Sequence, residues 1–531
     1  MPDSGAAVAL SVVDWMVVIA YVGGLVILGL LLTRRHFAPV DFFLASRATH
    51  WPTIGLALLA SNMSSTALVG LAGGAYAMGI SVYDYEWTAT VILVFFCLFL
   101  LPFVIRSGTY TMPEFLERRY DARVRLSFAV LTLFLNVFVD SAAILYSGSL
   151  VCRLLFPNQP LWLIVSMLAG AAGLYAASGG LRAVIYTEAV QGVVLLAGAV
   201  IISLRAFQGA GGWHAVLTGV DPAALSLIRP IGDRSVPWPG LVLGIPLLGF
   251  YYWCTNQSIV QRVLAAKNID HARWGALFAG LLKLPVLFVI VLPGTCALLL
   301  FPKLARPDMV YPKLILELLP KGLIGLVVAG FAAATMVSIA SILNSASTLL
   351  TMDIVKRFRP SLSNAQTIRV GRWATIGLLV IAVAWAPQLY LLPSLWQYLQ
   401  AVLAYAVPPV VAVFLGGMFW RGANSDGATA TLVVGSLCGL CLFLCNGVLG
   451  WTHFHFLYAA PLLFLVDVLI LVGVSVRHPV AASAKRDATM WKLDFGRAEN
   501  TRLAQTPIWQ DYRYLAAVLL GLTAGLVIAF R

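Results

Sequence analysis

The sequence predicts an all-α polytopic membrane protein with about fourteen transmembrane helices. Three observations predict it. Of 531 residues, 60% are hydrophobic and only 11% are charged, where a soluble chain carries roughly 45–50% apolar and 25% charged residues. Apolar stretches of roughly 20 residues, the length that crosses a hydrocarbon core, follow one another along the chain. The polar stretches between them, with 206–237, 301–322 and 477–511 the longest, are too short for an independent core. So few charges cannot solvate several soluble domains, and intrinsic disorder and nucleic-acid binding are excluded on the same ground.

The first span, 12–32, follows a segment with Asp3 and carries Asp14, where a signal peptide would be basic, so it reads as a retained helix. Six more follow at 51–75, 82–105, 124–154, 160–178, 184–205 and 238–262. The remaining seven are 272–300, 323–354, 369–391, 395–420, 427–446, 453–476 and 512–530. Loops on one side hold clusters such as Arg118, Arg119, Arg123 and Arg125, then Lys356, Arg357 and Arg359, and the basic stretch from Arg477 to Arg513. About 25 basic residues fall on that side and about 9 on the other, so the positive-inside rule places both termini outside. The net charge of +13 is therefore a loop asymmetry.

All seven cysteines lie in apolar runs, and Cys438–Cys441 sits in TLVVGSLCGLCLFLC without a histidine or carboxylate beside it. That spacing reads as helix packing rather than a redox or metal motif. No Walker A, dinucleotide-fold glycine pattern, HExxH or kinase signature occurs, so transport by this chain runs downhill or on an ion gradient.

Two spans are interrupted by polar residues. The second places Ser61, Asn62, Ser64, Ser65 and Thr66 at mid-depth, and the seventh follows Tyr251–Tyr252–Trp253 with Thr255, Asn256 and Gln257. They lie five spans apart, as corresponding helices of two five-helix halves would, and paired broken helices point to an inverted-repeat transporter site. Hydroxyl-mediated helix packing is the alternative. Ionisable residues inside spans are expensive and point to function. Glu86, Glu188 and Lys283 are such residues, although Glu188 could pair with Arg182 and Lys283 could snorkel. Gln397 and Gln400 add amides to an apolar helix, where packing and ligand roles both remain open. Together Asn62, Glu86, Lys283, Gln400 and the aromatic cluster suit a neutral polyhydroxyl solute. Hydroxyls need donors and acceptors, the C–H face of a sugar ring favours an aromatic platform, and the opposite signs of Glu86 and Lys283 cancel.

The run YYWCTNQSIVQRVLAAKN (251–268) resembles the signature of the sodium/glucose cotransporter branch of the solute:sodium symporter family. The segments 59–87, 179–191, 281–285 and 341–354 resemble the same branch, and the likeness runs from about residue 12 to 446. The resemblance implies a LeuT-type fold of fourteen helices with a ten-helix inverted-repeat core at 51–420. An extra N-terminal helix and loop (12–50) and peripheral C-terminal helices (421–531) would flank it. It implies sugar uptake coupled to sodium as co-substrate, with no other cofactor. By position it implies sugar contacts at Asn62, Glu86, Tyr252, Trp253, Lys283 and Gln400. The sodium ligands implied are the carbonyls of Ala60, Met63 and Ala334 and the hydroxyl of Ser338. Three positions depart from the branch: Val337 replaces a hydroxyl residue, Ala67 replaces a polar one, and Glu188 stands where an Asp is usual.

The leading reading is a sodium-coupled symporter of a sugar or cyclic polyol, working by alternating access in the lipid bilayer. Its alternatives are a sodium-independent carrier, a proton-coupled one using Glu188, and a membrane sugar sensor without useful flux. An enzyme is disfavoured because no carboxylate pair, Ser/His pair or metal cluster falls at mid-membrane. The short loops suit a plasma membrane, with a bacterial inner membrane as the specific expectation.

Overall fold

The computed structural model describes residues 11–33, 48–109, 111–154, 156–178, 181–451, 454–479, 490–491 and 493–531. Among them there is no β-sheet, only the isolated bridges Thr49–Ala266 and Arg229–Pro237. The chain is helical because, in hydrocarbon, a helix is the open-chain arrangement that satisfies its own backbone.

Nine helices among the described residues are long and apolar enough to cross a membrane, or ten if the pair Leu395–Ala406 and Pro408–Phe419, bent by 50°, counts as one span. This count covers the described residues, so the expected spans 12–32 and 160–178 enter it only as the shorter Val12–Tyr21 and Leu161–Gly173, and two physical features account for further differences from the expected fourteen. Expected spans two and seven are broken into helices too short to qualify alone. Conversely, Ser65–Ser107 runs helically for 43 residues, about twice the 20 or so that a bilayer core needs. It turns at Gly79–Tyr83, a 3-10 segment entered through Gly79 at φ 76, a backbone conformation that glycine adopts without strain.

The helices that build the site are α1 (Trp51–Asn62), α2 (Ser65–Met78), α3 (Asp84–Phe95), α4 (Ala122–Leu135) and α5 (Ala142–Cys152). They continue with α6 (Gln257–Leu264), α7 (Ile269–Lys283), α8 (Leu323–Thr348) and α9 (Leu395–Ala406). Small residues let them approach closely, as membrane helices require. A Cβ on Gly148 of α5 would lie 2.6 Å from Thr335 Cγ2 of α8. In the N-terminal helix Val12–Thr33, the Asp14 carboxylate accepts from the Gly322 and Gly325 N–H groups at 2.7 and 2.9 Å. It thereby satisfies donors that the start of α8 leaves free.

Loops assigned to the basic side meet at one end of the bundle. Arg123 pairs with Asp426 at 2.7 Å, Arg125 pairs with Asp353, and Arg357 donates to the Ala122 carbonyl at 2.5 Å. The helix Leu493–Leu503 joins them, with Glu499 2.5 Å from the buried Arg273 and Arg502 2.8 Å from Asp270. Those contacts hold down the start of α7, whose far end carries Lys283. All seven cysteines are free. Four are buried as helix packing requires, but Cys441 is exposed, so it faces outward from its helix rather than into a seam.

Candidate functional site

The site forms where two spans come apart. α1 ends at Asn62 and α2 begins at Ser65, with Ser64 extended at φ −66, ψ 173. The seventh span widens through Tyr251–Thr255 into a turn closed by Asn256 N–H to the Tyr251 carbonyl at 2.9 Å, and breaks at Asn256. Asn256 then restarts the helix by accepting from the Ser258 N–H at 3.0 Å. Both breaks leave helix-end carbonyls and N–H groups without intrahelical partners at membrane depth, which is tolerable only against a cavity or protein.

A cavity lies between them, running along the seventh span from Ile245 to Arg262. Asn62, Glu86, Tyr252, Trp253 and Gln400 all line it. Lys283 does not. Its side chain is fully buried, at 0% exposure, its ammonium pairs with Glu86 and donates to the Asn62 side chain, and it sits 5.0 Å from the Trp253 ring centre. Full burial beside a carboxylate replaces the snorkelling account of this lysine. Tyr83 O–H donates to the Leu284 carbonyl at 3.1 Å, which fixes the end of α7 against the start of α3. The Tyr252 hydroxyl hydrogen-bonds Asn62, and its charged neighbours are Asp140, Glu86 and Arg262. Tyr252 and Trp253 meet edge to face, 5.2 Å between ring centres.

Of the expected sodium ligands, Ser338 lies on the cavity wall with Ser341 and Ile342. Ala334 stands one turn before it on the same stripe of α8, since residues four apart share a face. Met63 and Ala334 are buried, Ala60 lies within α1's last turn, and Val337 is buried beside Ser338. Ala67 also reaches the wall, where it offers only a methyl. The side chain of Glu188 lies outside the described residues. Gln397 faces away from this centre, with its amide 3.8 Å from Met78 Sδ.

The sequence reading passed over Asp140, which lies on the cavity wall in the widened turn Asn136–Ser141 between α4 and α5. The rule that singled out Glu86 and Lys283, an ionisable residue inside an apolar span, applies equally to this aspartate in LFLNVFVDSAAILY.

The profile of the sodium:solute symporter family matches residues 42–435. The chain belongs to that family. A sodium:solute symporter takes sodium as co-substrate across a membrane and is not an enzyme. This symporter is 34% identical to sodium/glucose cotransporter 4 of Danio rerio over 487 residues, 82% of this chain and 74% of the relative. It is 35% identical to the sodium/myo-inositol cotransporter of Canis lupus familiaris over 514 residues, 85% of this chain and 71% of the relative. Its fold is similar to that of a substrate-bound, outward-open Na+-coupled sialic acid symporter, with TM-score 0.77 and 20% identity. That likeness covers 89% of this chain and 99% of the other. Mhp1, a nucleobase-cation-symport-1 transporter in a closed conformation, matches at TM-score 0.57 and 14% identity over 85% and 99% of the two chains. The architecture is thus the LeuT-type fold.

Proposed function

We propose that this symporter carries a neutral sugar or cyclic polyol together with sodium, across a plasma membrane with both termini outside. The observation that carries the reading is the composition of the cavity wall. Asn62 and Gln400 supply amide donors and acceptors, Glu86 supplies an acceptor, and Tyr252–Trp253 supplies an apolar ring face. A ring bearing several hydroxyls uses all three. The pairing of Glu86 with Lys283 supports a neutral solute, because neither charge is left for a carboxylate or an amine. The similarity to sodium/glucose and sodium/myo-inositol cotransporters supports the same class. The sodium ligands we assign are the carbonyls of Ala60, Met63 and Ala334 and the hydroxyl of Ser338, and the ten-helix core we assign is 51–420.

Counterflow of labelled glucose and labelled myo-inositol in proteoliposomes, with and without a sodium gradient, tests the proposal. Accumulation of either label driven by sodium is expected, and accumulation of neither would refute it. Gln400→Ala removes neutral hydrogen bonds worth about 0.5–1.5 kcal/mol, so the transport KM should rise roughly two- to tenfold with the maximal rate preserved. An unchanged KM would remove Gln400 from the site. At Ala67 the wall has no partner for a hydroxyl, and a site discriminates against a deoxy analogue only where a buried group would be left unpaired. At least one deoxy isomer of the transported sugar should therefore compete as well as the parent. Competition by every deoxy isomer should be measured, and rejection of all of them would place another donor or acceptor near Ala67.

A further inference from the structure

We infer that Asp140 is a specificity-determining carboxylate of the solute cavity that accepts hydrogen bonds from substrate hydroxyls; the inference rests on the sugar or polyol reading above. Asp140 belongs to the wide turn Asn136–Ser141, and a helix that widens for one turn is a recurrent feature of functional sites. Its side chain is partly exposed to the cavity that Asn62, Glu86 and Gln400 line. It makes no hydrogen bond and no ion pair with any described residue. The other acidic residues in the bundle's interior with cations beside them are already engaged, Glu86 by Lys283 and Asp353 by Arg125.

A carboxylate at this depth is costly unless something satisfies it. Its surroundings say what kind of group that is. Asp140, Glu86 and Tyr252 share the cavity wall, and both carboxylates are within electrostatic reach of the Tyr252 hydroxyl. Tyr251, also within the electrostatic reach of Asp140, is buried with its hydroxyl unpartnered. Tyr398 is spent elsewhere, donating to the Phe138 carbonyl at 2.9 Å. Arg262 lies on the same cavity wall and donates to the Ser258 carbonyl. Glu86 is already offset by Lys283, so for the neutral solute proposed above Asp140 is the carboxylate of this wall left for ligand donors to satisfy. An ionised carboxylate only accepts hydrogen bonds, through two oxygens. The neutral ligand group that satisfies it is a donor, and adjacent hydroxyls of a sugar or cyclitol supply two.

The test is a cycle between the protein and its substrate. In proteoliposomes, binding of glucose or myo-inositol, whichever the parent protein carries, and of each of its mono-deoxy isomers is measured for the parent, Asp140→Asn and Asp140→Ala. Asp140→Asn keeps the shape, so it reports the charge even if Asp140→Ala fails to fold. Loss of a hydrogen bond to a charged group should weaken binding of the full substrate about ten- to a hundredfold in either variant. At least one deoxy isomer should bind the variants and the parent equally. Unchanged affinity for the full substrate in Asp140→Asn overturns the inference. So does an equal loss for the substrate and all its deoxy isomers, because a merely structural role would lower every affinity together. A parent protein that counterflows neither glucose nor myo-inositol refutes the sugar reading instead, and the two failures are told apart by that control.

Discussion

Lys283→Ala is expected to destabilise the protein by about 3–5 kcal/mol, because it leaves a buried carboxylate without its counter-charge. Lys283 is fully buried and the Glu86 side chain is 5% exposed, so water cannot replace the ammonium. The same substitution frees the Asn62 side chain, which the ammonium holds at the end of α1. Sugar affinity should therefore fall, by roughly ten- to a hundredfold if a charged hydrogen bond is lost. The loss acts through Asn62 and Glu86 rather than through a direct contact. From sequence alone one expects Lys283→Ala to weaken binding with expression intact, whereas the buried pair predicts less folded protein as well. Thermal unfolding of the detergent-solubilised protein is the measurement. Lys283→Ala should unfold at a clearly lower temperature than the parent, and adding Glu86→Gln should restore much of the difference by removing the stranded charge. A midpoint unchanged in Lys283→Ala would mean that the pair is not closed in the membrane protein.

The second large effect concerns sodium. Val337→Ser should lower the sodium concentration for half-maximal uptake tenfold or more, since one additional oxygen contact to a charge is worth about 1.5–3 kcal/mol. Sodium is a hard ion that needs several oxygens to replace its water. Ser338 reaches the cavity from α8, with Ala334 one turn earlier, while Val337 fills the neighbouring position with methyls. The parent should accordingly need high sodium for activation, and Ser338→Ala should abolish what activation there is. Tight, saturable activation of the parent that Val337→Ser leaves unchanged would refute this account of α8.

Both helix breaks are legible in the sequence because runs such as SNMSST and TNQS are chemically out of place in hydrocarbon, and the chain does come apart at Met63–Ser64 and at Asn256. Glu86 and Lys283 are legible for the same reason, as charges where none is cheap. Their pairing was hinted at by sign, but the geometry that buries the lysine behind the wall required the fold. The boundary between the spans expected at 51–75 and 82–105 is legible as well, since the long helical run Ser65–Ser107 turns between them at Gly79–Tyr83. Asp140 was missed although its type is conspicuous. A turn with an extra residue advances the helix face by about one residue's rotation, so periodicity read through 122–152 does not say which side residue 140 takes.

The closed Glu86–Lys283 pair also bears on the return stroke, when the empty carrier must reset. Each elementary charge moved through a membrane potential of 100 mV is worth about 2.3 kcal/mol. Had Glu86 stood alone, the voltage would act on every empty passage of the cavity from one side to the other. Because its partner is a fully buried lysine of the same chain, this pair moves no net charge. The charges left for the voltage to act on are the Asp140 carboxylate on the cavity wall and the cation that the carrier picks up.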